Sequence, residues 1–417
     1  MNIKKFLKSE MVSNGLWMYA LQFFNLVVPL LTLPYITRVL GASSYGVFSI
    51  SLNILTYLQV VVEYGFGMSA TRKVATELDD KLLNRTFTTV VLGRTVLLIG
   101  CILIGVVYIS LNLNNLKLCG SFAILMICLL GYCVQTNWIF QGKEDMKYIS
   151  IVNVLGRTIS TVLVFALVNS ANDLILYSLL YSISPFLSGF VGLFIAKKKY
   201  RLKFVKVKIS EVFEELKDGF YVFTTQLCSK VFGSIGITFL SIFATSYEVG
   251  VFSAIQKIPT IMILLWTPIS QILYPIVSKK FIASLDDGYF YVLRLRKKLL
   301  AIFSLIALIV CVFSKFVVNL LYGAEYAPYY VWLVPLSLWL IVSIDNNLWG
   351  IQILLGSGHD KEYGEAFALG VVATILLNFS LIAIFFANGA AIAPLLSELV
   401  LNLTLRKKII NIRKREL

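Results

Sequence analysis

A chain of 417 residues in which 58% are hydrophobic and only 14% are charged cannot keep a wetted surface in water, since soluble domains are nearer a quarter charged. The composition therefore excludes a water-soluble enzyme or binding module and predicts an all-α polytopic membrane protein. At roughly 30 to 35 residues for each helix and its loop, the length allows about twelve transmembrane helices.

Long apolar spans follow one another along almost the whole chain. In chain order they are 14–39, 45–69, 86–111, 118–140, 148–169, 174–196, 218–244, 249–278, 299–321, 328–355, 366–387 and 390–405. Several exceed the about 20 residues that a bilayer core requires, so we expect tilted or protruding helices. The first span is also too long for the apolar region of a cleavable signal, and we expect it to remain as the first transmembrane helix.

The basic residues predict the orientation of these helices. About 30 of the 37 Lys and Arg residues fall in alternate connecting segments, against about three in the others, and the basic side of a membrane protein is the cytoplasmic side. Lys4, Lys5 and Lys8 place the N-terminus inside, and the basic tail 406–417 places the C-terminus there too. Topology and anionic lipid thus explain the net charge of +15, and no nucleic-acid partner is expected.

A short internal repeat predicts two similar halves. The segment Tyr45–Ser49 recurs as Val249–Ser253, and Gln141–Glu144 has a weaker echo in Ser357–Asp360. Each pair holds the same place in its half, so the halves are predicted to be parallel six-helix lobes around a central cavity, as in alternating-access transporters. The predicted organisation is an N-terminal lobe 1–196, a basic cytoplasmic linker 197–217, a C-terminal lobe 218–405 and the basic tail 406–417.

Several charged residues remain at membrane depth, where charge is costly and usually faces a water-filled cavity or a partner. They are Glu63, Arg94, Arg157, Lys230, Lys257, Asp345 and Glu398. Uncharged polar residues near them, some at helical spacing on the same face, are predicted to line the cavity; these are Gln22, Asn25, Gln59, Asn153, Gln226 and Gln352. Because the cations outnumber the acids, the cavity is predicted to be net positive and its substrate anionic.

The four cations are the candidate substrate-binding residues, but each has an alternative role. Arg94 and Arg157 lie about 13 Å from the inner ends of their helices, so either could snorkel or form a structural ion pair. Lys230 lies about 18 Å deep, which favours a cavity role. For Lys257 the sequence leaves both roles open.

The acidic residues at membrane depth have two alternative roles. Glu63 and Asp345 could neutralise the cations in static ion pairs, or they could bind and release H⁺ or Na⁺ during transport. Glu398 is predicted to be a packing partner. We expect no bound cofactor and no metal centre, because the cysteines are scattered through apolar spans and His359 is the only histidine.

Several short motifs resemble those of a known family. They are Leu31–Tyr35 followed by Arg38, Leu40 and Gly41, then Tyr45–Phe48, Val62–Phe66, Trp138–Glu144 with Met146 and Lys147, Asp218–Phe220, and Tyr274 with Pro275. With these motifs the sequence resembles the polysaccharide flippases of the multidrug/oligosaccharidyl-lipid/polysaccharide exporter superfamily, most closely the O-antigen flippases. The resemblance extends from about residue 14 to residue 400.

The resemblance implies a function. Members of this family move an undecaprenyl-pyrophosphate-linked oligosaccharide from the cytoplasmic to the periplasmic leaflet of the bacterial inner membrane. The implied partners are therefore that lipid-linked glycan, the surrounding lipid, and an O-antigen polymerase with its chain-length regulator. A cationic cavity suits the pyrophosphate, since charge interacts strongly where water is excluded.

Other functions remain as alternatives. The chain could flip another lipid-linked glycan, such as a capsular or teichuronic-type polymer, or it could be a drug or cation antiporter, which a net-acidic cavity would favour. A membrane glycosyltransferase or O-antigen polymerase usually needs a sizeable outer loop for its catalytic residues. The longest predicted outer loop is the short segment 112–117, so we expect that the protein is not an enzyme.

Overall fold

The computed structural model describes residues 10–76 and 79–416, with side chains for 14–76 and 79–414. Every regular element within these ranges is helical, which confirms the predicted all-α class. The basic residues Lys4, Lys5 and Lys8 of the N-terminus lie outside the described residues, as does Leu417 at the end of the predicted tail.

Fourteen α-helices make up most of the described part of the chain. They are α1 (Glu10–Glu63), α2 (Phe66–Thr76), α3 (Asp80–Leu111), α4 (Leu116–Leu125), α5 (Ile127–Val134), α6 (Asn137–Gly142), α7 (Met146–Leu167), α8 (Leu174–Lys199), α9 (Ile209–Phe243), α10 (Ser246–Ala283), α11 (Leu285–Val312), α12 (Ser314–Tyr322), α13 (Leu333–Asn347) and α14 (Asp360–Glu416). Short 3₁₀ helices cover Ala171–Asp173 and Ala327–Trp332, and a π-helix covers Leu348–Leu355.

The described helices provide enough apolar length for a multi-pass membrane protein. Nine helical stretches can cross a bilayer, or ten if α11 and α12, which meet at a 73° bend, form one span. Helices α1 and α14, with 54 and 57 residues, are each long enough for two crossings. Each is interrupted by one non-helical residue, Gly41 (φ 71°) and Phe386 (φ 50°). Counting both twice agrees with the prediction of about twelve crossings.

Several predicted spans are less regular than the sequence suggested. The span 118–140 is divided among α4, α5 and α6, and the span 328–355 among a 3₁₀ turn, α13 and the π-helix. The predicted outer loop 387–390 is helical, with the interruption at Phe386 instead. Hydropathy measures how much of a segment is apolar, and it is insensitive to breaks in the backbone within an apolar segment.

The chain divides into two compact units. The first contains the described residues up to Leu40 together with Val47–Val231, and the second contains Gly41–Gly46 together with the chain from Phe232 onward. The division falls inside α9, and the proposed linker 197–217 stays a prediction.

The core of the first unit combines large buried rings with close helix contacts. Trp138 and Phe140 of α6 are fully buried. Where α5 passes α8, a Cβ atom on Gly131 would lie 2.2 Å from the carbonyl oxygen of Pro185, and one on Gly189 would lie 2.2 Å from that of Gly131. Small residues allow membrane helices to approach in this way, because van der Waals packing replaces the hydrophobic effect as the force between helices in lipid.

The core of the second unit is centred on α10, α13 and the π-helix. Trp266, Leu340 and Trp349 are buried there, and Phe303 of α11 meets the ring of Trp266 edge-on with centroids 5.7 Å apart. This core lies beside both polar sites of the second unit that are described below.

Candidate functional site

The polar site of the first unit begins at a sharp turn. Helix α1 ends at Glu63, and the next residues, Tyr64 (φ 46°) and Gly65 (φ 76°), have left-handed backbone conformations. A Cβ atom on Gly65 would lie 2.8 Å from Cβ of Val222, so a side chain there would collide with α9. The ring of Tyr64 stacks on Phe223 with centroids 4.5 Å apart. The motif Val62–Phe66 therefore determines where α1 ends, and with it the position of Glu63.

Glu63 and Arg94 are the acidic and the basic residue of this site. Gln59 Nε2 donates a hydrogen bond to Glu63 Oε1 at 3.0 Å, and Glu63 interacts electrostatically with Arg94. Arg94 is 4% exposed, and its Nη1 donates to the carbonyl oxygens of Gln135 at 2.7 Å and Tyr132 at 3.3 Å. The break between α5 and α6 frees these carbonyls, so Arg94 ties the broken helix to α3.

Arg157 is held differently. It lies near the middle of α7 and is half-buried, and its Nη1 donates to Asn25 Oδ1 at 2.7 Å. No carboxylate among the described side chains forms an ion pair with it. Asn153, one turn earlier, donates to the carbonyl oxygen of Ile149 in its own helix. The guanidinium charge of Arg157 is therefore positioned by a neutral amide and left without a neutralising acid.

Lys230 on α9 is a second cation of this kind in the first unit. It is half-buried, as are Gln226 on the same helix and Gln22 on α1. Within the described ranges, no hydrogen bond or ion pair involves the Lys230 ammonium group. Lys257, by contrast, belongs to the second unit, where it is exposed on α10.

Asp345 is the centre of a buried ion cluster in the second unit. Arg296 donates to it through Nε at 2.5 Å and Nη2 at 2.9 Å, and Arg406 donates through Nη2 at 2.9 Å. Both guanidinium groups lie over the ring of Trp349, at 5.0 and 5.3 Å from its centroid. From the sequence, Arg296 and Arg406 had been grouped with the cytoplasmic charges. Their contacts make Asp345 the bridge between two helices, α11 and α14.

Amide side chains extend this cluster to Glu398. Asn402 donates to Asp345 Oδ2 at 3.0 Å and to Asn346 Oδ1 at 2.7 Å. Asn346 in turn donates to the carbonyl oxygen and to Oε2 of Glu398, at 2.8 and 2.5 Å. Each of these side chains is buried. Glu398 thus joins α14 to α13 through hydrogen bonds, as expected of a packing partner.

A cavity of about 470 Å³ lies beside this cluster, between α10, α13 and the π-helix. The residues that line it are all uncharged; they are Ile263, Trp266, Thr267, Ser270, Gln271, Tyr274, Ser343, Ile344, Asn347, Ile351 and Leu355. Ser270 Oγ donates to Asn347 Oδ1 at 2.7 Å. Buried Gln352 of the π-helix donates to the carbonyl and hydroxyl oxygens of Ser270 at 3.0 and 3.1 Å. Gln352 therefore supports the wall of the cavity.

Some of these residues were not identified from the sequence. The count of basic residues places Arg296 and Arg406 on the cytoplasmic side, and Gln271 and Asn347 are absent from the six amides that the sequence predicts to line the cavity. The sequence does contain one indication of this polar site, the consecutive residues Asp345, Asn346 and Asn347 within an apolar span, since polar side chains at membrane depth usually need partners.

Comparisons with known proteins agree with the resemblance noted in the sequence. Residues 11–281 match the family described as polysaccharide biosynthesis protein. Two curated relatives, both described as candidate O-antigen transporters, come from Escherichia coli (strain K12) and Shigella dysenteriae. The first is 27% identical over 94% of both chains. The second is 25% identical over 96% of this chain and 100% of its own length.

Solved structures share the fold. A lipid II flippase, MurJ, in an inward closed conformation has a TM-score of 0.74 with 13% identity, over 95% of this chain and 87% of its own. An inward-facing multidrug resistance MATE family transporter of the MOP superfamily has a TM-score of 0.69 with 14% identity, over 93% and 99%.

The helices and the relatives together define the broad class. The chain is a multi-pass membrane transport protein, and the proteins that it resembles are transporters rather than enzymes. The family match covers more than half of the sequence and confirms the resemblance carried by the sequence motifs. By that match, the chain belongs to the polysaccharide biosynthesis protein family.

Proposed function

We propose that the protein is a flippase for a lipid-linked glycan. Its substrate is an undecaprenyl-pyrophosphate-linked repeat unit of O-antigen or of a similar surface polysaccharide, moved by alternating access from the cytoplasmic to the periplasmic leaflet of the inner membrane. The descriptions of the two curated relatives as candidate O-antigen transporters support this substrate. The fold shared with a lipid II flippase is consistent with it.

The observation that supports this proposal most directly is the state of Arg157. Its guanidinium lies in an apolar helix and is oriented by the neutral Asn25 at 2.7 Å, with no ion pair to a described carboxylate. A charge in such a place is expensive unless it has a partner for part of the transport cycle. The pyrophosphate of the substrate supplies that partner, because guanidinium groups bind phosphate oxygens through paired charge-assisted hydrogen bonds.

Lys230 supplies a second positive charge in the same unit. It interacts with none of the described side chains through a hydrogen bond or an ion pair. An ammonium group binds phosphate as a point charge and tolerates changes in geometry, which suits a ligand that moves. Arg94 serves a structural role in this proposal, because backbone carbonyls already occupy its Nη1.

Transport in proteoliposomes tests the proposal. Purified protein is reconstituted with fluorescent undecaprenyl-pyrophosphate-linked oligosaccharide, and arrival of the glycan in the opposite leaflet is measured with an impermeant quencher. Arg157→Gln is expected to lower the rate at least about tenfold, since a hydrogen bond to a charged group contributes about 1.5 to 3 kcal/mol. Arg157→Lys should retain part of the rate, because it keeps the charge but loses the fork of donors.

Arg72→Gln is the matched control, because Arg72 is exposed on α2. It should transport at the rate of the unmodified protein. Normal transport by Arg157→Gln, at an equal amount of reconstituted protein, would contradict the role of Arg157. In cells, we expect the translocated glycan to be the substrate of the O-antigen polymerase and its chain-length regulator.

A further inference from the structure

The cavity of the second unit differs in chemistry from the cationic residues of the first. We propose that this cavity binds an uncharged sugar ring of the glycan. The inference rests on the proposed function and adds a subsite to it. The site is defined by Gln271, Asn347 and Ser270 as hydrogen-bonding groups and by Trp266 and Tyr274 as aromatic ones.

The lining has the composition that a neutral sugar requires. A sugar ring presents hydroxyl groups at its edge and C–H groups on its faces. Amides such as Gln271 and Asn347 both donate and accept hydrogen bonds, so each can pair with a hydroxyl in either sense. Tyr274, which is 39% exposed, offers aromatic surface of the kind that packs on apolar ring faces, and Trp266 contributes only the edge of a ring that is otherwise packed in the core. Because the lining is uncharged, it offers no cationic partner to a phosphate or a carboxylate.

The size of the cavity also fits a small polar ligand. Its volume of about 470 Å³ lies within the range of roughly 300 to 1,000 Å³ that is usual for small-molecule sites. The amide and hydroxyl groups of this cavity can bind water when it is empty, and a sugar would replace such waters with hydroxyl groups of similar geometry.

The backbone around the cavity is unusual. The π-helix Leu348–Leu355 begins directly after Asn347, and π-helical turns are rare and often occur at functional sites. Helix α10, on the opposite wall, contains Pro268 and Pro275 within the stretch that lines the cavity. A proline leaves the carbonyl four residues before it without its helical partner.

Two side chains at the wall have unsatisfied polar atoms. Gln352 Oε1 and Trp266 Nε1 are buried, and neither has a hydrogen-bond partner among the described residues. Gln352 is 0% exposed and Trp266 is 3% exposed. Burying such a group without a partner is unfavourable.

Direct binding measurements test this site separately from transport. The full-length protein is placed in lipid nanodiscs, because maltoside detergents carry neutral sugars that would compete. Saturation-transfer difference NMR is recorded with glucose, galactose, mannose, rhamnose, N-acetylglucosamine and N-acetylgalactosamine, and with glucuronate as the charged comparison. At least one neutral sugar should give a signal that titrates to saturation, and glucuronate should give none.

Substitutions in the cavity test whether the sugar binds there. Asn347→Ala and Gln271→Ala should each weaken the binding of that sugar about fivefold, as expected for the loss of one hydrogen-bonding group. Gln271 is exposed on α10, so its replacement leaves the fold intact even if Asn347→Ala does not. Asn411→Ala is the matched control, because Asn411 is exposed near the end of α14, outside the cavity.

The outcomes separate the two proposals. If every neutral sugar fails to bind, or if Asn347→Ala and Gln271→Ala bind as tightly as Asn411→Ala, the cavity is not a sugar site. Sugar binding that depends on Gln271 without any transport of lipid-linked glycan would support the cavity and contradict the proposed flippase activity. Transport of the lipid-linked glycan without any sugar binding would support the flippase activity and contradict the sugar site.

Discussion

Gly46 and Gly250 contact each other so closely that neither could bear a side chain. A Cβ atom on Gly46 would lie 1.6 Å from the carbonyl oxygen of Ser246, and one on Gly250 would lie 1.9 Å from that of Ala42. Each of these carbonyls belongs to the residue four positions before the partner glycine, so the contact is reciprocal. The two glycines are also the ones that the internal repeat places at equivalent positions.

Gly250→Ala is therefore expected to destabilise the second unit. Overpacking of a close contact usually costs about 1 to 3 kcal/mol, and here the added methyl group meets backbone atoms that cannot rotate away. We expect a lower melting temperature and a smaller yield of folded protein. Gly364→Ala is the control, since a Cβ atom there has no neighbour within 4 Å. Equal melting temperatures for the two variants would show that the close contact is unimportant.

Asp345→Asn should be destabilising. The substitution removes the charge that Arg296 and Arg406 share, and because these arginines are 23% and 42% exposed and can reach water, we expect a cost of about 1 to 3 kcal/mol, below the range for a fully buried pair. Asp286→Asn is the control, because its pair with Arg413 is exposed and such pairs contribute about 1 kcal/mol or less. Thermal unfolding in a mild detergent measures both. If Asp345→Asn unfolds at the same temperature as Asp286→Asn, Asp345 is not a structural bridge.

We expect Asp145, at the connection between α6 and α7, to make the stability of the folded protein depend on pH. Partial burial alone would raise the pKa of its carboxyl group, but hydrogen bonds from Lys199 and Tyr200, with the charge of Lys199, lower it below 3.8. The Lys199 ammonium lies 2.5 Å from Oδ2. Burial raises the pKa of the Tyr200 hydroxyl, so that group remains a donor.

A depressed carboxyl pKa stabilises the folded state above the unfolded pKa, and the stabilisation is lost as the pH falls through the folded pKa. The difference in melting temperature between the unmodified protein and Asp145→Asn should therefore be constant from about pH 7 to pH 5 and should shrink below about pH 4. A difference that does not change with pH would contradict a role for the ionised carboxylate.

The distribution of basic residues predicts the topology of the chain. Alkaline phosphatase is active only outside the cytoplasm, so fusions after Lys208 should be inactive and fusions within the outer loop Asn112–Lys117 should be active. Fusions after Lys408 should be inactive as well, because the C-terminal tail is predicted to be cytoplasmic. The opposite pattern of activities would invert the predicted orientation.

Glu63 is the remaining candidate for ion coupling, since Asp345 is engaged by two arginines. If Glu63 binds H⁺ or Na⁺ during the cycle, an imposed gradient of one of these ions should change the transport rate of the unmodified protein. It should have little effect on Glu63→Gln. Glu144→Gln, at an exposed position, should behave like the unmodified protein. Insensitivity of the unmodified protein to both gradients would favour passive flipping drawn by polymerisation outside.

The repeated turn near Gln141 illustrates how far a sequence match extends. Asp145 N donates to the carbonyl oxygen of Phe140 at 2.7 Å, and His359 N donates to that of Leu354 at 2.8 Å. The two turns thus have the same hydrogen bond. When the turns are aligned by this hydrogen bond, Glu144 corresponds to Gly358. The sequence match instead paired Gly142 with Gly358, which differs by two residues. Backbone geometry repeats here with a different register from the residue types.

The sequence by itself determined the membrane class, the approximate number of crossings and the presence of a repeat. These properties depend on residues that are consecutive in the chain. Hydropathy is averaged along a helix, and the break at Gly41 that separates two crossings requires only a local change of backbone conformation. The family motifs are local in the same way, since Tyr64 and Gly65 form their turn within one short segment.

Only the tertiary structure decided which polar side chains meet. Asp345 is 49 residues from Arg296 and 61 from Arg406 in the chain, and their pairing depends on how α11, α13 and α14 pack. The cavity depends on tertiary packing too, because Gln271 and Asn347 come from different helices and are uncharged. A charged residue in an apolar span is conspicuous because its burial is so unfavourable, whereas only packing decides which of the many amides lie beside one another.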